Sequence, residues 1–93
     1  MIKEAGDQAL VDGAMNLNTA AELLSGGNAA IGRAARVFDM SAVTEVDSSG
    51  LAVVFAWVRT AKRNGLSIRL ANPPQGLLSM ADVYGVSGML PLN

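Results

Sequence analysis

The chain contains no cysteine and no histidine. The first absence removes disulfides and thiolate metal sites; the second removes the commonest metal ligand and the commonest general base. Ser48 and Ser49 therefore have no imidazole to activate them as nucleophiles, and neither lysine stands in a Ser-x-x-Lys arrangement. No glycine-rich loop ends in Gly-Lys-Ser or Gly-Lys-Thr, and Gly85-Val-Ser-Gly88 is too short and too apolar in context to cradle phosphate, which argues against intrinsic NTP hydrolysis. No catalytic residue, cofactor or bound metal is expected.

Aromatic side chains are equally scarce: one Trp, one Tyr and two Phe. The core must then be built mainly from Ala, Val, Leu, Ile and Met, which bury less area each. The net charge is -1 with no block of like charge, so the chain lacks the electrostatic footprint of a nucleic-acid or anionic-lipid binder. Its longest apolar run, Leu51 to Val58, falls well short of the ~20 residues of a membrane-spanning helix. The start MIKEAGDQ has no signal-peptide pattern, and a cytoplasmic location without direct membrane insertion is expected.

What is present is a half-apolar chain of 93 residues, enough for one compact domain over residues 1–93. Ile2 and Lys3 begin a short edge strand, Ala5-Gly-Asp7 supplies a turn, and Ala9-Leu-Val11 leads a second strand of a hairpin. Thr19-Ala-Ala-Glu22 is a capping-box pattern that predicts a helix from about Thr19. Gly26-Gly27 separates the apolar residues of that helix at a propensity cost of up to about 2 kcal/mol relative to alanine, which makes it the weakest element and the place where a break would fall.

The organising stretch runs from Val37 to Gly65. Val37, Phe38 and Met40 form an apolar strand run, whereas from Leu51 the spacing Leu51, Val54, Phe55, Val58, Ala61 marks one helix face. Between them, Asp47-Ser48-Ser49-Gly50 is a helix start, where several free backbone N–H groups should gather beside small hydroxyls that cap them or carry a modification. Trp57 lies off the core stripe. Either a neighbouring helix covers it, or it anchors a partner, since Trp dominates many interfaces. Asn64-Gly65 stops the helix, and Arg59, Lys62 and Arg63 sit where cations favour the helix dipole. Ser67 to Ala71 alternates as a half-covered strand; Asn72-Pro73-Pro74 opens a last helix with the stripe Leu77, Met80, Ala81, Tyr84, closed by Gly85.

The pattern apolar-Asp-apolar-Ser-x-Val-x-x-Val-Asp-Ser-Ser-Gly-Leu from Phe38 to Leu51 resembles the signature of STAS domains, the fold shared by sulfate-transporter tails and anti-sigma-factor antagonists. Gly13-Ala14-Met15-Asn16 aligns with the family's Gly-Glu-Leu-Asp segment, with Asn16 in place of its final acidic residue and Ala14 in place of its glutamate. The spacing from Asn16 to Asp47, and the short ending from Tyr84 to Pro91, most resemble the small STAS subunit, of MlaB type, of the ABC transporter that maintains lipid asymmetry in Gram-negative outer membranes.

The resemblance implies an α/β fold: a single domain with a mixed four- to five-stranded sheet, an antiparallel N-terminal edge strand and about three helices. It implies a non-catalytic interaction subunit on the cytoplasmic face of the inner membrane, bound to the ATPase subunit of a phospholipid-transporting complex that also holds permease and substrate-binding subunits. It places partner contact or switching at Asp47, Ser48, Ser49, Gly50 and Asn16, and Ser48 aligns with the residue phosphorylated in anti-sigma antagonists. An antagonist switched by phosphorylation of Ser48 is the alternative; an enzyme is the weakest third.

Overall fold

The computed structural model describes residues 1–92. Strands β1 (Ile2–Ala5) and β2 (Gln8–Met15) form an antiparallel hairpin whose turn begins at Gly6 with φ 62°. A glycine takes that left-handed conformation without steric cost, as a two-residue hairpin turn requires. Helix α1 (Ala20–Arg33) crosses from β2 to β3 (Val37–Val46), and α2 (Ser48–Arg63) crosses from β3 to β4 (Arg69–Ala71). The sheet order is β1-β2-β3-β4, with the last three strands parallel. Helix α3 (Gln75–Val83) and a 3-10 turn at Ser87–Met89 complete the chain. The four-stranded mixed sheet, the antiparallel edge and the three helices agree with the α/β architecture expected from the sequence.

Both crossovers advance one strand in the same direction, and crossovers of one hand that do so put their helices on the same face. Ala9, Val11, Phe38, Met40 and Leu70 point into that face and are buried under α1, α2 and α3. On the other face Leu10, Asp12, Asp39 and Arg69 stay half-buried or exposed. The outer edge of β4 is closed by the C-terminal segment, whose Pro91 carbonyl accepts the Leu70 N–H at 2.8 Å while Leu90 is buried. Among the described residues no helix is long and apolar enough to cross a membrane.

Several local readings are corrected by the structure. Helix α1 does not break at Gly26-Gly27; it runs unbroken because Gly27 is the seat of Trp57. A Cβ on Gly27 would stand 2.0 Å from the indole Nε1, so a side chain there and the indole exclude each other. Trp57 is 0% exposed, stacks on Phe38 at 4.6 Å between ring centroids and donates its Nε1–H to the Leu23 carbonyl at 3.1 Å. It is core, covered by the neighbouring helix, and is unavailable as a surface anchor for a partner.

Seating Trp57 also rotates α2 relative to its predicted stripe. Val53, Trp57 and Thr60 turn inward beside Leu51, Val54 and Ala61, whereas Phe55 and Val58 are left half-buried. Thr19, expected to cap α1 through a capping box, makes no side-chain cap; its hydroxyl donates to the Ala14 carbonyl at 2.9 Å and accepts the Asn16 N–H at 2.9 Å. Tyr84, expected on the apolar stripe of α3, follows the last helical residue and is 60% exposed.

The two glycines of α1 offer opposed substitutions. A Cβ at Gly26 would meet Ile2 Cδ1 at 3.6 Å, an ordinary contact, so Gly26→Ala should gain up to about 1 kcal/mol from helix propensity. Gly27→Ala should instead cost about 2 kcal/mol or more by overpacking against the indole. Thermal melts of the two variants should therefore move in opposite directions; a rise for both would show that Trp57 does not need the gap.

A second prediction concerns acid. The Asp39 carboxylate accepts from the Asn72 side-chain amide at 3.1 Å and from the Ser41 N–H at 2.9 Å, and these bonds hold its pKa below the ordinary carboxylate value. Asn72 has φ 53°, so the same bond helps to hold a left-handed residue after β4. A depressed folded-state pKa contributes stability that is complete above the ordinary carboxylate pKa and is lost as pH falls through the folded value. Asp39→Asn should flatten the stability profile between about pH 5 and pH 2, read by denaturant titration across that range.

Candidate functional site

The end of β3 and the start of α2 meet the loop after β2 at one corner of the molecule. Asp47 is the N-cap of α2: its backbone is extended, and its Oδ1 accepts the Ser49 N–H at 2.8 Å and the Gly50 N–H at 3.2 Å. The other oxygen, Oδ2, accepts the Leu17 N–H at 3.3 Å, and the Asp47 N–H donates to the Met15 carbonyl at 3.0 Å. One carboxylate thus ties the helix start to the neighbouring loop. The free N–H groups expected at this helix start are largely taken, because Asp47 already serves two of them.

Gly50 answers a different demand. A Cβ there would lie 2.6 Å from the Met15 carbonyl oxygen, 2.8 Å from Met15 Cβ and 3.0 Å from Val46 Cγ1. The first turn of α2 passes directly over the end of β2, and only a residue without a side chain allows that approach. Gly50 itself is buried, so its part in the motif is to set the position of the turn.

Asn16 uses both halves of its amide. Its Oδ1 accepts the N–H groups of Asn18 at 2.9 Å and Thr19 at 3.2 Å, while its Nδ2 donates to Glu45 Oε1 at 2.9 Å. An aspartate would keep the two accepted bonds, lose the donated one and set two carboxylates face to face. The amide in place of the family's acidic residue is thus matched to Glu45 across the gap, a residue that sequence reasoning did not single out.

On this framework Ser48 stands exposed as the first residue of α2, and among the described residues its hydroxyl takes no hydrogen bond. Ser49 is half-buried. Two depressions flank the turn. A polar one of about 380 Å³ is lined by Asn16, Leu17, Asn18, Glu45, Val46 and Asp47, with Leu17 77% exposed. An apolar groove of about 340 Å³ lies between the two helices, lined by Leu24 of α1 and Ala52, Val53 and Ala56 of α2, with Ser49 and Arg59 also on its wall. The structure therefore brings Asn16, Asp47, Ser48, Ser49 and Gly50 to one corner and excludes Trp57 from it. Leu17, Ala52 and Ala56 were not anticipated; the small residues at an i, i+4 spacing were the available signal for a shallow groove.

The family described as "Mlab, STAS domain" matches residues 3–91. The chain belongs to the STAS family, of MlaB type. A curated relative, the intermembrane phospholipid transport system binding protein MlaB of Haemophilus influenzae, is 32% identical over 50 residues, a match covering 54% of this chain and 48% of that protein. The match spans about half the length of that relative. Among solved structures, the anti-sigma factor antagonist SpoIIAA in its unphosphorylated form superposes with a TM-score of 0.71 at 14% identity, over 97% of this chain and 84% of its own. An anti-sigma factor antagonist from Mycobacterium paratuberculosis gives 0.70 at 19% identity, over 99% and 81%. At these identities the two structures establish a shared STAS fold.

The corner yields a stability contrast. Asp47→Ala removes the cap and the tie to Leu17 and should cost about 1–2 kcal/mol, a fall of several degrees in Tm. Ser48→Ala breaks no hydrogen bond and should melt within about 0.5 kcal/mol of the parent. Equal losses for the two would show that Ser48, not Asp47, holds the helix start.

Proposed function

We propose that this STAS domain is a non-catalytic subunit that docks, through the corner formed by Asn16, Asp47, Ser48 and Ser49, on the ATPase subunit of a phospholipid-transporting ABC complex at the cytoplasmic face of the inner membrane. The complex would also hold permease and substrate-binding subunits. The observation that carries this reading is an accessible, unbonded Ser48 on a turn fixed by Asp47 and Gly50, in a chain of MlaB type whose relative is named for a phospholipid transport system. Such a turn offers a partner a fixed surface with little left to order on binding. The corner holds no pair of groups able to activate a nucleophile, which supports a binding role over chemistry.

The accessibility of Ser48 also favours a second reading, an antagonist of anti-sigma factors switched by phosphorylation at that hydroxyl. Affinity purification from native membranes separates the two. Co-purification of an ABC ATPase with its permease supports the first reading; recovery of a soluble serine kinase in its place supports the second and overturns the first.

Charge at Ser48 tests the docking face. A phosphoryl group at a helix N-terminus gains roughly 0.3–1 kcal/mol from the helix dipole, and here the N–H groups of Ser49 and Gly50 are already bonded to Asp47. Burying about -1.5 to -2 charge beside that carboxylate inside an interface would cost several kcal/mol unless the partner supplied Arg or Lys. Ser48→Glu should therefore keep its melting temperature within a few degrees and bind the isolated ATPase at least about tenfold more weakly, equivalent to ~1.4 kcal/mol. Ser48→Ala should bind as the parent does. Indistinguishable affinities for the Glu and Ala variants would place Ser48 outside the interface.

A further inference from the structure

The rotation of α2 that buries Trp57 leaves an unclaimed feature on the other flank of the same helix. Phe55 and Val58, half-buried, form with Val86 and Met89 the apolar lining of a groove of about 590 Å³ between α2 and the 3-10 turn, and Met89 is 66% exposed. Arg59 and Lys62, both exposed, also line it, and among the described residues no carboxylate comes within 4.0 Å of either. Arg59 lines the Ala52–Ala56 groove as well, so one cation stands between the two depressions.

We infer that the partner surface seated at Ser48 continues along α2 and lays an apolar segment bearing a carboxylate into the Phe55–Met89 groove, with the carboxylate against Arg59 and Lys62. This rests on the docking reading above and adds to it the chemistry of the partner and the residues that meet it. The distance is suitable: Ser48 and Arg59 are about 16 Å apart along a helix rising 1.5 Å per residue, and a standard interface of about 800 Å² per partner spans more than that. Charge complementarity selects the occupant. Two cations that have no carboxylate partner among the described residues, beside an apolar floor, match an acidic, apolar segment, and the attraction strengthens when the groove is covered and water excluded. A membrane surface is the poorer fit, because binding to anionic lipid typically takes four to eight clustered cations and this flank, with Arg63 counted, has three.

The test is a titration of the labelled chain against the isolated ATPase at low and high salt, with circular dichroism on each variant. Arg59→Glu/Lys62→Glu should bind at least tenfold more weakly at low salt, and the salt dependence of the parent should be largely lost in it. Arg59→Gln/Lys62→Gln, which avoids placing acid near a helix C-terminus, should show a smaller loss in the same direction. Met89→Glu should also weaken binding, and Arg69→Glu, on the open sheet face, should not. If the parent binds and Ser48→Glu weakens it while both Arg59/Lys62 variants bind like the parent, the groove proposal fails and the docking reading stands. If the parent does not bind the ATPase at all, both fail. Parallel sedimentation with phosphatidylglycerol vesicles covers the remaining case: vesicle binding lost in the Arg59/Lys62 variants with ATPase binding intact would assign the groove to a membrane and overturn the proposal.

Discussion

The indole of Trp57 occupies the space that a side chain at position 27 would fill, and much of the helical layer follows from that exchange. Stacked on Phe38 of the sheet and bonded to a carbonyl of α1, the ring links three elements at once: β3 below it, α2 that carries it, and α1 beside it. A chain with one Trp and two Phe has few large side chains to spend on its core, and here two of the three lie in contact at its centre. Fixing that ring fixes the rotation of α2 about its axis. Val53 and Thr60 turn inward with it, Phe55 and Val58 turn outward, and the exposed ridge of the helix carries Ala52 at one end and Arg59 and Lys62 toward the other.

The hairpin and most helix boundaries were legible because they depend on signals within a few residues of each other. The Gly6 turn, the Asp47 cap, the Asn64-Gly65 stop and the Pro73-Pro74 start each act locally. What could not be read was any outcome decided by a residue far away in sequence. Gly26-Gly27 looks like a helix defect until Trp57, thirty positions on, is brought against it. Trp57 looks off-stripe because helical periodicity assumes one buried face, whereas α2 packs on a sheet and on α1 together. Thr19 is the local exception: its hydroxyl is taken by the Asn16 N–H and the Ala14 carbonyl, three and five residues back, and does not cap α1.

The candidate site divides in the same way. The Asp-Ser-Ser-Gly turn was evident from its residues and from the family pattern, yet the roles within it were not. Asp47 is committed to backbone N–H groups on two elements, and Gly50 to a close passage over Met15; both act as scaffold. Among the described residues neither serine hydroxyl is bonded, and Ser48 is the one that stands exposed. The division of labour within four consecutive residues needed the position of the β2 end, which no local pattern encodes.

That division bears on how a surface of this kind responds to a charge. If the Asp47 carboxylate were free, an added negative group at position 48 could displace it and take over the N–H groups of Ser49 and Gly50, at small net cost. Because Asp47 is also bonded to Leu17, on a separate loop, leaving its place would disturb the Asn16–Thr19 segment as well as the helix cap. The cheaper response is for Asp47 to stay, so that an anion at Ser48 remains outside, unneutralised and solvated. The fold tolerates such a charge because water screens it, and an interface closing over the same atoms would remove the water first. On the docking reading, a turn with its own carboxylate already in use would make a charge added at Ser48 nearly neutral for folding and costly for association.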